Sequence, residues 1–177
     1  SHNISVIDTA TNTVTATIPI EGRSPQPRAI AINPAGTRAY VVNLNAQSIS
    51  VIDTSTNTVS ATIAISTNAS SNRSVAVGPD GTRVYLGNGA VIDAASNTVI
   101  SQGSLDGHAL ALNRDGSRLY AATGFFNAMQ VLDTTTMSVL GTTPLAGFAL
   151  DIAYVDDSPV TPQTGWYWNP AEGGRGF

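Results

Sequence analysis

The chain repeats itself, and the period of that repeat limits what it can fold into. Four segments align: ISVIDTATNTV from Ile4, ISVIDTSTNTV from Ile49, AVIDAASNTV from Ala90 and MQVLDTTTMSV from Met129. Their aspartates, Asp8, Asp53, Asp93 and Asp133, stand 45, 40 and 40 residues apart. Between them recurs a second element: NPAGTRAYVVN from Asn33, GPDGTRVYLGN from Gly78 and NRDGSRLYAAT from Asn113. A third precedes each of these: RAIAIN from Arg28, RSVAVG from Arg73, HALALN from His108 and, more loosely, FALDIA from Phe148. A unit this short cannot bury its apolar side alone, so it has to stack on its neighbours.

Each element has a local reading. RAIAIN and its equivalents alternate large and small apolar residues, as a short strand does. The PAG, PDG or RDG that follows is a glycine turn, which makes the next stretch, RAYVVN, the second arm of a hairpin. ISVID is a third strand. The Asp-Thr-x-Thr-Asn after it is rich in side chains that bond their own backbone, and so turns the chain into a fourth strand, TVSATIAI. No stretch sustains a helical period. Four short antiparallel strands in about 40 residues is the sequence form of a propeller blade. The expected fold is therefore all-β, a β-propeller of four-stranded antiparallel blades. Three full blades fall at about 28–65, 73–101 and 108–145, with partial blades at 4–20 and 148–154.

The motifs VIDTxTNTV, PDGTRxYV and the YVVN at Tyr40–Asn43 resemble the YVTN-type β-propeller repeats of bacteria and archaea. The resemblance spans about Ile4 to Tyr154. It implies a secreted, periplasmic or surface-layer propeller, and no single activity. Residues 156–164 read as a polar, proline-containing linker. Residues 165–177, GWYWNPAEGGRGF, resemble the opening of a small domain at the C-termini of bacterial secreted proteins. On this reading the chain begins between the second and third strands of one blade and ends inside a second, aromatic domain. Its open strand edges then offer a route to self-association.

Composition removes several classes of function. There is no lysine, and eight arginines against twelve acidic residues leave a formal charge of −4. No basic face is available for a phosphate backbone, so nucleic acid is not an expected partner. No apolar run approaches the ~20 residues of a membrane span. With no cysteine there is no disulfide or thiolate chemistry. His2 and His108 are far apart, which leaves no metal-ligand spacing. No nucleotide-loop or nucleophile-elbow motif occurs, so no catalytic residue, metal or cofactor is expected.

Three sets of residues remain as candidates. If the second and third strands of a blade pair antiparallel, Arg38 faces Asp53, Arg83 faces Asp93 and Arg118 faces Asp133, an expected structural pair in each blade. Asp8 has no such arginine. Arg28, Arg73 and His108 each stand just before or at the start of a first strand, with Phe148 in the looser fourth copy. In a propeller that is the mouth of the central channel, where two arginines and a histidine suit an anion or a carboxylate. Trp166, Tyr167 and Trp168 form an aromatic patch fit for carbohydrate or a partner protein. Three functions stay open: a non-catalytic extracellular, cell-surface or periplasmic binding scaffold; a hydrolase or lactonase-like propeller with its site in the channel; and a self-assembling surface or filament subunit.

Overall fold

A computed structural model of the 177-residue chain describes residues 2–22, 24–65, 73–124, 127–147, 149 and 151–154. The described residues form fourteen strands and no helix. The first sheet pairs β1 (Asn3–Asp8) with β2 (Thr13–Pro19). The second is a meander of β3 (Pro27–Ile32), β4 (Arg38–Asn43), β5 (Ser48–Asp53) and β6 (Thr58–Ala64). The third runs through β7 (Val75–Val77), β8 (Arg83–Leu86), β9 (Val91–Asp93) and β10 (Thr98–Ser101). The fourth contains β11 (Gly107–Leu112), β12 (Arg118–Thr123), β13 (Ala128–Asp133) and β14 (Val139–Pro144). All pairs are antiparallel.

The turns explain why the repeat keeps the residues it does. Between the first two strands of a sheet, Gly36 N–H donates to Asn33 O at 2.8 Å, and Asn33 N–H to Arg38 O at 2.9 Å. Gly36, Gly81 and Gly116 all have φ between 70° and 74°, where a Cβ is penalised. Between the third and fourth strands, Asp53 Oδ1 accepts the N–H groups of Ser55 (2.8 Å) and Thr56 (3.2 Å). Asn57 then takes φ 55°, and Asn12 (54°) and Asn97 (55°) do the same in their sheets. Asparagine tolerates this left-handed conformation better than other residues with a Cβ. The fourth repeat has Met137 there, at φ 57°. Each third–fourth strand pair also carries a register shift just before or within this region, at Val6/Ile7, Val51/Ile52, Val99/Ser101 and Val131/Leu132.

Consecutive sheets share cores. Alternate residues of β4 point to opposite faces. Ala39 and Val41 join Ile52, Ile18 and Ile20 in a core between the first and second sheets. Tyr40 and Val42 join Ile49, Val51, Ile63 and Ile65 against Val84, Leu86, Ala90 and Ile92 of the third. Tyr85, Val91 and Leu105 in turn pack on Leu119, Ala121 and Leu132 of the fourth. Burial on both faces is why RAYVVN reads as a nearly continuous apolar run rather than an alternation. Each fully buried Val, Leu or Ile stabilises such a core by ~1.5–3 kcal/mol. The second and third sheets are buried on both sides, whereas all six residues of β14 are exposed.

One expectation fails among the described residues. The segment 148–154 reads as a first strand, yet residues 149 and 151–154 form none. A strand needs a neighbour for its N–H and C=O groups, and none of the described residues pairs with this segment. Tyr154 instead stacks on Tyr120 of β12, with ring centroids 5.5 Å apart. Residues 156–177, with the linker and the aromatic segment, lie outside the described residues.

Candidate functional site

The starts of the first strands gather the candidate anion-binding side chains. β7 touches both β3 and β11. Ser74, buried just before β7, donates from Oγ to Gly107 O at 2.8 Å. Gly107 N–H donates to Gly87 O at 2.8 Å, and Gly87 N–H to Ser74 O at 2.9 Å. This closed set of bonds fixes Arg73 and His108, the immediate neighbours of Ser74 and Gly107, at one junction. Arg28 has the corresponding place on β3. Arg28 is exposed, while Arg73 and His108 are half-buried.

His108 differs from its arginine counterparts for a reason in the loop beside it. Leu44 N–H donates to Gln26 O at 3.1 Å, and Gly124 N–H donates to Asp106 O at 3.3 Å in the same position of the fourth sheet. Where the second sheet has a leucine side chain, the fourth has none, and the His108 imidazole lies in that space, so close that a Cβ on Gly124 would collide with it. His108 Nε2 stands 3.6 Å from Asp106 Oδ1, with side chains only 15% and 16% exposed. The sequence reading missed Asp106. Its signal was the Asp-Gly-His spacing at 106–108, which puts two side chains on one face of an extended segment.

The arginines of the second strands do something other than the expected pairing. The register sets Arg38 opposite Asp53, Arg83 opposite Asp93 and Arg118 opposite Asp133. Only Arg118 forms the side-chain ion pair, with Nη1 3.2 Å from Asp133 Oδ2. Arg38 Nη1 reaches across to the next sheet and donates to Ala94 O at 2.6 Å. Arg83 Nη1 does likewise to Thr134 O at 3.1 Å. In both cases the acceptor is the residue immediately after the aspartate of the following sheet. Arg118 has no such sheet beyond it among the described residues, and it donates to Ser117 O at 3.1 Å as well as to Asp133.

The aspartates do not need the arginines, because their own turns occupy them. Asp53 is held below the usual carboxylate range by the Ser55 hydroxyl and by the Ser55 and Thr56 N–H groups. Asp93 is lowered first by the Ser96 N–H and hydroxyl, with Arg83 a smaller contributor. Asp133 is lowered first by the Thr136 and Thr135 N–H groups. Asp8, expected to lack its arginine, caps its turn in the same way through Ala10 N–H at 2.7 Å and Thr11 N–H at 3.2 Å.

Two grooves open along the seams between sheets. One, about 360 Å3, is lined by Ile18, Glu21, Val59 and Ala61 among others. The other, about 370 Å3, lies among Asp80, Arg83, Asp115 and Thr134. Asp80 and Asp115 are each engaged by their own turn, through Thr82 and Ser117. Among the described residues no three His, Cys, Asp or Glu side chains gather as metal ligands. None of their helices, there being none, could cross a membrane. Trp166, Tyr167 and Trp168, and the fourth mouth position Phe148, lie outside the described residues.

No protein-family model matches the sequence, and no curated protein matches it. Among solved structures, a hydrazine synthase chain of Kuenenia stuttgartiensis superposes with a TM-score of 0.65 at 21% identity. The match covers 75% of this chain and 40% of that one, so the chain spans less than half of that neighbour's length. At this identity the likeness concerns the fold. In all, 728 chains of solved structure match, so the architecture is widely shared and singles out no activity.

Proposed function

We propose that this chain is a β-propeller scaffold of YVTN-type repeats, working outside the cell or in the periplasm, that binds an anionic ligand or an acidic partner protein without catalysis. The observation that carries the reading is the row of first strands. β7 lies against β3 and β11; β3 carries Arg28, β11 carries His108, and Arg73 stands two residues before β7. Successive sheets stacked face to face, with first strands side by side, is the arrangement that blades around an axis require. Guanidinium groups on a rigid rim bind carboxylates through paired N–H donors at little entropic cost. No cofactor or metal is called for.

The test is a titration of the chain with di- and tricarboxylates and with an acidic peptide, followed by amide chemical shifts. Shifts confined to the ends of β3, β7 and β11, abolished in Arg28→Ala/Arg73→Ala, support the reading. Saturating ligand that moves no resonance there refutes it. A second reading has one observation in its favour: the half-buried His108–Asp106 pair. A carboxylate can orient a histidine as general base, as a hydrolase in this architecture would use it. Turnover of a panel of lactones and esters that is lost in His108→Ala would favour that reading over the binding scaffold.

A further inference from the structure

The two end faces of the stack are complementary to each other, and we infer that the fourth sheet of one copy docks the first sheet of a second copy, head to tail. The two junctions between four-stranded sheets follow one rule. The far face of a sheet, such as Tyr40, Val42, Ile49 and Val51, meets the near face of the next, and the arginine at the start of the second strand bonds the carbonyl that follows the next aspartate. The junction of the third and fourth sheets repeats the rule, with Arg83 and Thr134 O.

Among the described residues the ends carry the same parts without that contact. On the fourth sheet Tyr120, Ala122, Met129 and Val131 are the counterparts of Tyr40, Val42, Ile49 and Val51. Those four are fully buried, whereas Tyr120, Met129 and Val131 are only half-buried. On the first sheet Ile7 and Val14 are the counterparts of Ile52 and Val59. Ile52 is 2% exposed; Ile7 and Val14 are 57% and 59% exposed. Arg118 is the third member of the Arg38 and Arg83 series, and the carbonyl of Thr9, which follows Asp8, is the acceptor that continues the series of Ala94 and Thr134. A face of this shape and chemistry is met elsewhere in the molecule only by a near face of the same repeat. The first sheet presents one, and no core cluster among the described residues joins it to the fourth.

Among the described residues the first sheet holds β1 and β2, the counterparts of the outer strands β5 and β6. On the fourth sheet, Tyr154 already stands on Tyr120, where in the internal junction Val75 and Val77 of β7 pack into the core that holds Tyr40. The inner part of the far face is thus covered, and the outer part, along β13 and β14, is left for β1 and β2 of the second copy. Such an interface is heterologous and continues into a ring or a chain. The inference is independent of any ligand at the strand mouths.

The experiment is sedimentation of the 177-residue chain over a wide concentration range, with two variants on opposite faces. Ile7→Asp alters an exposed residue of the near face, and Arg118→Glu a residue at the edge of the far face whose side chain is 41% exposed; circular dichroism checks that both variants fold. The wild-type chain is expected to associate beyond a dimer, and each variant alone to weaken association by about tenfold or more. A mixture of the two is expected to form a one-to-one dimer, because the intact far face of the Ile7→Asp chain meets the intact near face of the Arg118→Glu chain. A wild-type chain that stays monomeric at the highest soluble concentration overturns the inference. So does a mixture that associates no better than its components, which would mean symmetric or strand-edge contacts.

Discussion

Arg38 and Arg118 occupy the same place in the repeat, yet their removal should have unequal effects. Arg38→Ala deletes a charge-assisted hydrogen bond to Ala94 O at 2.6 Å, and it leaves that carbonyl, on a residue 6% exposed, without its donor. Hydrogen bonds to charged groups contribute ~1.5–3 kcal/mol, and an abandoned buried acceptor costs at the same scale. Arg38 is only half-buried, so about 2 kcal/mol is the expected loss, or roughly 4–8 °C in Tm for a domain of this size. Arg83→Ala should lose somewhat less across its longer 3.1 Å bond. Arg118 is 41% exposed and its partner Asp133 29%; an exposed ion pair is screened, so Arg118→Ala should cost ~0.5 kcal/mol or less. Urea unfolding by circular dichroism, at a protein concentration low enough to suppress association, measures all three. A double-mutant cycle sharpens the comparison, since Arg38 and Asp53 should show no coupling while Arg118 and Asp133 should show some. The reasoning fails if Arg118→Ala costs as much as Arg38→Ala, or if Arg38 and Asp53 couple as an ion pair would.

Other expectations follow from the turns and the strand mouths. Asp53, Asp80, Asp93, Asp115 and Asp133 are all held below the usual carboxylate range, in each case first by hydrogen bonds from their own turn. Their folded pKa values lie under the unfolded ones, so in acid the unfolded chain binds more protons. The stability they contribute is complete above the ordinary carboxylate pKa of ~4 and is lost as pH falls through the folded values; a Tm that stays flat from neutrality to pH 2.5 would contradict this. Asn57→Val should destabilise by about 1–2 kcal/mol, because a β-branched residue pays for φ 55° in full, whereas Asn57→Gly should be close to neutral. Gly124→Ala should destabilise by roughly 1–3 kcal/mol through overpacking against the His108 imidazole, and Gly124→Ala/His108→Ala should recover most of that loss; thermal melts of the single and double variants decide it.

The strands were legible in the sequence because their causes are local. Glycine at positive φ, aspartate bonded to the next residues' N–H groups, and apolar alternation all act within a few residues, so β3 to β6 and the register of β4 on β5 could be written down from RAIAINPAGTRAYVVN onward. The Arg–Asp expectation shows where that stops. Register places Arg38 opposite Asp53, but the guanidinium chooses among acceptors in three dimensions, and the turn of the following sheet, 56 residues on, brings Ala94 O within reach. Asp106 was missed for a similar reason, since its pairing with His108 depends on a cleft left by Gly124. The expected first strand at 148–154 rested on a loose match to the motif, and no described residue pairs with it.

Among the described residues the second and third sheets each share cores with two neighbours and the first and fourth with one, so the energy that holds them together is arranged as a line of nearest-neighbour couplings. Opening can then begin cheaply at either end and must spread inward one interface at a time. The amides of β4 and β8 are expected to be the last to exchange with solvent, and those of β1 and β14 the first. A lesion at the centre, such as a truncation at Tyr40, therefore divides the molecule into two short stacks, whereas the same loss at β14 trims one layer and leaves the rest cooperative.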